Sequence, residues 1–160
     1  EERASNLEIL KKAFSTNGLL AYKIENLVKD LEDLTNEYLA ELSDGRFSLE
    51  FVVTNDKLNV EITDNSKVVD ILALSSGELA RVNTATLLAI RKLMSSISSS
   101  RINTLFLDEV INVLDEQGRE KLVEILLGED LNTYIVSHGW THPLLAKIEV
   151  IKEDNISRLE

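Results

Sequence analysis

Thr104-Leu105-Phe106-Leu107-Asp108-Glu109 is the stretch on which the fold turns. Its unbroken apolar run fits a strand covered on both faces, as in a parallel sheet. Two adjacent carboxylates stand at its C-terminal end. Thr133-Tyr134-Ile135-Val136 is a second run of the same kind, ending in Ser137-His138. Between them a helix is predicted from about Glu116 to Leu127, with Asp115 as its N-cap. Strand, helix, strand is a βαβ unit. The polar ends of its strands share one edge of the sheet, where ligands of open α/β folds bind. Ile148–Ile151 and Ile156–Leu159 read as a closing hairpin around Asp154-Asn155.

Upstream lies Leu74-Ser75-Ser76-Gly77-Glu78. From Gly77 to about Ser98 the period is 3.6, with Leu79, Val82, Thr86, Ile90, Leu93 and Ile97 on one side. Before it, Phe47, Leu49, Phe51 and Val53 alternate, Asn55-Asp56 make a turn, and Leu58, Val60 and Ile62 alternate again. This predicts an antiparallel hairpin. An apolar stretch from Val68 to Leu74 follows. The first third is helical: Leu20, Ile24, Leu27, Leu31, Leu34 and Tyr38 form a heptad seam, ended by Asp44-Gly45. Leu7, Leu10 and Phe14 make a similar seam before Asn17-Gly18. Such a helix suits a bundle core or a coiled-coil arm whose partner strand is absent. The narrow stripe favours the arm.

With 160 residues, a compact chain buries roughly 70% of its unfolded surface. The net charge of −11 argues against gripping duplex DNA by bulk charge, which needs clustered cations. Arg81, Arg91, Lys92 and Arg101 are scattered, and most read as solvated helix charges, although Arg81, one turn into its helix, could couple that helix to its neighbours. The chain has no cysteine, hence no disulfide framework and no thiolate zinc site. No apolar run approaches the ~18 residues of a membrane span. Glu1-Glu2-Arg3 is no signal peptide and no starting Met is present, so a piece of a longer chain is expected.

Three places carry chemistry. Ser75 and Glu78 have the spacing of a capping box. Above that structural use, Gly77 lets a ligand approach the backbone, and the helix-start amides with the Ser75 hydroxyl suit a phosphate. Asp108-Glu109 is either a solvated strand end or a working pair, with one acid beside a divalent cation and the other orienting a water. Strand C-termini are site positions in α/β folds, which favours the second. Asp115 suits a helix cap. His138 is a surface histidine or a polar contact to a terminal phosphate. His138 and His142 mimic a metal pair at i, i+4, but without cysteine, and with Pro143 alongside, zinc is discounted.

The order of these motifs resembles the C-terminal lobe of an ABC-type (P-loop NTPase) ATPase head. Leu74-Ser75-Ser76-Gly77-Glu78 looks like the signature motif. Leu105-Phe106-Leu107-Asp108-Glu109 looks like the Walker B strand with its catalytic acid. Asn112-Val113-Leu114-Asp115 is similar to the D-loop, and His138 matches the switch histidine. The coiled-coil-like helix upstream points to the SMC-like branch, and within it to the DNA-repair ATPases of the SbcC kind, including phage recombination-nuclease subunits. The likeness in motifs runs from Leu74 to His138. One departure is Ser76, where many relatives carry Gly.

The resemblance implies an α/β fold with a coiled-coil arm root at 1–43 and the C-terminal lobe at 44–160. It implies an ATPase using ATP and Mg²⁺. Ser75, Ser76, Gly77 and Glu78 would meet ATP held by the opposite protomer. Asp108 would hold Mg²⁺, Glu109 would polarise the attacking water, His138 would touch the γ-phosphate, and Asp115 would cross the dimer interface. The phosphate loop such a head needs, G-x-x-x-x-G-K-[S/T], is absent: none of the six glycines precedes a Lys. The implied partners are therefore an N-terminal Walker A lobe of the same protein, a second head in a head-to-head homodimer, and an SbcD-type nuclease subunit on the arm root. DNA contact would be weak or indirect through this lobe, and no membrane is implied. The implied location is cytoplasmic or nucleoid-associated. Two other readings are an SMC-type chromosome-organising head and a non-enzymatic acidic interaction module.

Overall fold

A computed structural model describes residues 18–54, 57–100 and 103–160. The Leu7, Leu10 and Phe14 seam, Asn17, the Asn55-Asp56 turn and Arg101 lie outside the described residues. Helix α1 (Leu19–Leu42) is followed by an antiparallel sheet of β1 (Phe47–Thr54), β2 (Lys57–Asp64) and β3 (Lys67–Val69), in that order. A 3₁₀ turn (Ile71–Ala73) leads into α2 (Ser76–Ile97). Then come β4 (Thr104–Asp108), the single-turn α3 (Val110–Val113), α4 (Glu116–Gly128) and β5 (Asn132–Val136). Strands β4 and β5 pair in parallel, with Leu107 opposite Ile135 and Asp108 opposite Val136. The hairpin β6 (Val150–Glu153) and β7 (Ile156–Leu159) ends the chain, around the left-handed pair Asp154-Asn155.

Helix α1 divides in two. Its C-terminal half buries Thr35, Tyr38, Leu39 and Leu42, with Leu31 and Leu34 half-buried, while Ile24 and Leu27 higher on the same seam are exposed. Side chains of α1 also cover the edge of β1. Asn36 holds both the N–H and the carbonyl of Leu49, each at 2.8 Å, and Glu32 accepts from the Phe51 N–H at 2.8 Å. An open strand edge is a template for foreign pairing, and these polar groups close it. The core lies where α1, α2 and α4 meet the strands, around Leu39, Leu42, Ile62, Leu88, Leu107 and Leu122.

Burial departs from the hydrophobic pattern in four places. Strand β4 is buried on one face only: Leu105 and Leu107 are inside, but Phe106 is 69% exposed and stacks on exposed Tyr134 of β5 at 4.8 Å. No element of the described chain covers that side. The β1–β2 hairpin buries Phe47, Leu49 and Ile62 at its base, whereas Leu58 and Val60 are exposed. The packed face of α2 carries Arg81, Val82, Thr84, Ala85, Leu88 and Ala89, so Val82 of the expected side is buried while Ile90 and Ile97 face outward. The final hairpin forms around Asp154-Asn155 as expected, and its Val150, Ile156 and Leu159 are exposed.

Candidate functional site

Helix α2 starts as its sequence specifies. Ser75 Oγ accepts from the Glu78 N–H (3.3 Å), and the Ser75 N–H donates to Glu78 Oε2 (2.8 Å), closing a capping box. These bonds hold the Glu78 carboxyl below the usual carboxylate range, the Ser75 N–H first and Arg46 with it. Arg46 binds Glu78 at 2.8 Å and Asp64 at 2.7 Å, so the helix start is fixed to the base of the hairpin. A Cβ built on Gly77 would meet nothing within 4 Å. Packing within this chain therefore does not call for a glycine there.

At the end of β4 the backbone reverses. Asp108 is exposed at the last strand position. Glu109 takes a left-handed conformation, φ +58°, with its N–H on the Val136 carbonyl at 3.3 Å. That conformation is uncommon for a residue with a Cβ and is concentrated at functional turns. It leaves Glu109 Oε1 3.9 Å from His138 Nε2, with the two side chains 70% and 82% exposed. The βαβ connection thus brings the ends of both strands together, as expected of the parallel pair.

Asp115 caps α4 by accepting from the Gly118 N–H at 2.8 Å, and Arg81 Nη2 grips both of its oxygens at 2.7 and 2.8 Å. Arg81, then the Gly118 N–H, lower its pKa. Arg81 also donates Nη1 to the Leu42 carbonyl at 2.8 Å. With its side chain 11% exposed, it is no solvated helix charge but the link joining α2, the end of α1 and the Asp115 turn. Among the described residues, Ser75–Glu78 share no hydrogen bond or ion pair with Asp108, Glu109 or His138. Within the described residues the α2 start and the carboxylate–histidine pair thus have no direct polar link.

His142 stands apart from His138. It lies 3.1 Å from Glu120, and its Nδ1 accepts from the Leu144 N–H at 3.2 Å. Among the described residues, no three His, Asp or Glu side chains gather as a cation cage. Mg²⁺ needs no such cage, because it is commonly held by one or two carboxylates and the phosphates of its substrate. The exposed Asp108 carboxylate beside Glu109 fits that donor set.

Two sets of residues escaped the sequence reading: Arg46 with Asp64 and Glu78, and Arg91 with Glu129 and Tyr38. The signal available was on α2. Residues 81, 84, 88 and 91 form a stripe at helical spacing, disguised by an arginine at each end.

A parallel β4–α4–β5 unit, helix α2 started by a capping box and helix α1 rising from the same core make up an α/β lobe. A solved structure from work on ATP-driven dimerization and DNA-stimulated activation of SMC ATPases superposes with a TM-score of 0.69, covering 87% of each chain at 18% identity. The "Probable exonuclease subunit 2" of Escherichia phage T5 is 45% identical over 99% of this chain. The DNA double-strand break repair Rad50 ATPase of Pyrococcus abyssi is 31% identical over 64% of it. No family model matches. The chain is homologous to part of the phage exonuclease subunit 2 and of the Rad50 ATPase, and it shares the fold of solved SMC ATPase heads. It spans 26% of the length of the phage protein and 11% of the Rad50 protein. No helix among the described residues is long and apolar enough to cross a membrane.

Proposed function

We propose that this chain is the C-terminal half of an ATP-hydrolysing head that closes on ATP as a dimer and regulates a nuclease acting on DNA breaks. The arm root comprises residues 1–43 and the lobe 44–160. An N-terminal lobe supplies the phosphate loop and packs on the uncovered face of β4 and β5. The observation that carries this reading is the Glu109–His138 pair, 3.9 Å apart at the C-terminal edge of the parallel strands with Glu109 in a left-handed turn.

Mg²⁺, when bound, neutralises the phosphate oxygens as charge develops on them. The protein's own part is positional. Asp108 holds the ion. Glu109, beyond the strand end, accepts a proton from the attacking water and orients it. His138 donates to the terminal phosphate. Ser75 and Ser76 offer hydroxyls, and Gly77 an unobstructed amide, to the nucleotide on the opposite protomer, at the positive end of α2. Glu78 secures that helix end, and Asp115 faces the second head. Using the signature in trans accounts for the lack of a direct polar link to Glu109 and His138 within the described residues. An SbcD-type nuclease subunit docks on the arm root, and DNA is gripped mainly by other parts of the assembly.

The test is ATP turnover. This chain alone should be inactive, and adding the Walker A lobe should restore hydrolysis. Glu109→Gln should then lower kcat by about 10²–10⁴-fold, the range for loss of a general base, and trap an ATP-bound dimer. Turnover by the chain alone, or full activity of Glu109→Gln, would sink the reading.

A further inference from the structure

Helix α2 carries two arginines on its packed side, and each bridges the same pair of neighbours. Arg81 joins the Leu42 carbonyl of α1 to Asp115, the N-cap of α4. Ten residues on, Arg91 donates Nη2 to the Tyr38 hydroxyl of α1 at 3.4 Å and forms an ion pair with Glu129, the C-cap of α4. The Tyr38 hydroxyl donates to the same Glu129 carboxylate. Both ends of α4, about 20 Å apart at 1.5 Å per residue, are therefore fastened to the arm root, by Arg81 of α2 at one end and by Arg91 of α2 together with Tyr38 itself at the other.

The second fastening is enclosed. Tyr38 is buried, and the side chains of Arg91 and Glu129 are 12% and 18% exposed. Burial, then the Glu129 carboxylate, push the Tyr38 pKa up, so its hydroxyl remains a proton donor at working pH. Arg91 Nε is buried without a hydrogen-bond partner among the described residues, which carries a desolvation cost. A buried ion pair contributes little net stability over apolar residues of the same volume. What it contributes that they cannot is a fixed geometry among three helices.

We propose that Arg91, Glu129 and Tyr38 form a positioning site that ties the arm root to the far end of α4, so that α4 delivers arm movement to Asp115 as a rod. The proposal rests on the reading of Asp115 as the residue that faces the second head. It is tested on the complete polypeptide by hydrogen-exchange mass spectrometry and by ATP kinetics. The reporter is the segment 115–120, where the Gly118 N–H is held by Asp115. Arg91→Met should speed exchange there by about tenfold or more, the size expected for one lost charge-assisted bond. It should also lower kcat while leaving KM for ATP unchanged. Tyr38→Phe removes a single oxygen and should shift both readouts the same way by less, and it serves if Arg91→Met does not fold. Lys92→Met removes a cation 5.2 Å over the Tyr38 ring but no bond to Glu129, and should leave 115–120 unchanged. Faster exchange confined to 126–131 would overturn the proposal and reduce the trio to a local brace. A complete polypeptide without ATP turnover would overturn the head reading, and the exchange at 115–120 would still decide the tie.

Discussion

A methyl group added to Gly118 would sit 2.9 Å from Asp115 Oδ1, 3.3 Å from Leu114 Cδ2 and 3.4 Å from Arg81 Nε. The carboxylate cannot retreat freely, because Arg81 holds both of its oxygens and the Gly118 N–H holds one. In an open helix, Gly→Ala gains up to about 1 kcal/mol. Here the overpacking term, about 1–3 kcal/mol, opposes it. Gly118→Ala should therefore destabilise by roughly 1 kcal/mol in urea unfolding, the difference of those two terms. Gly128→Ala is the internal comparison: it lies in the same helix with nothing within 4 Å, and should be neutral or stabilising. Equal gains at both positions would mean that the Asp115–Arg81 pair yields easily. The cap itself could be read from Asp115 and the helix after it. The crowding around Gly118 could not, because Arg81 comes from 37 positions earlier in the chain.

Several carboxylates join elements to one another, and their protonation should loosen the same joints. Lys29, then the Phe51 N–H, lower the pKa of Glu32, which pins α1 to the β1 edge. Glu78 at the start of α2 and Asp115 at the start of α4 are lowered as well. A group whose folded pKa lies below its unfolded value stabilises the fold above the unfolded value, about 4 for Asp and Glu. That stability is lost as pH falls through the folded value. Urea midpoints should thus be flat from pH 7 to about 5 and fall progressively below about 4, where these groups begin to titrate in the unfolded chain. Glu32→Gln should shrink that fall, and an unchanged profile would exclude Glu32 as a contributor. At this scale the sequence was informative about elements and less so about faces. The long helices and two of the hairpins announced themselves through local period, cap and turn, whereas the single-turn α3 and the short β3 did not. The packed side of α2 was only partly placed: Val82 is buried as expected, but Arg81 and Arg91 lie on the packed side and draw it away from the stripe that runs on to Ile90 and Ile97. The meeting of Glu109 with His138 followed from the βαβ order. The Tyr38–Arg91–Glu129 tie, which joins residues 91 positions apart, has no local signature.

For the whole molecule, the telling feature is the bare side of the parallel pair. Unbroken apolar strands read as covered on both faces, yet Phe106, Tyr134 and Val136 are exposed. The sequence pattern and the packing of the described residues disagree, and a second layer over this face would reconcile them. Under the proposed function that layer is the Walker A lobe, and Phe106, stacked on Tyr134 at 4.8 Å, is its central anchor. Phe106→Glu separates folding from assembly. At 69% exposure the change should move this chain's own stability by no more than about 0.5 kcal/mol, as for other surface positions. Burying a phenylalanine side chain is worth about 1.5–3 kcal/mol, and a carboxylate left in the same place has no partner. Affinity for a separately produced Walker A lobe, measured by titration calorimetry, should therefore fall by about 10- to 100-fold or more. Because Phe106 lies two residues before Asp108, ATP turnover of the mixture should fall with it and recover at high lobe concentration, which a defect in the acid pair itself would not allow. Undiminished affinity would mean that the bare face takes some other cover, and that the two lobes meet elsewhere.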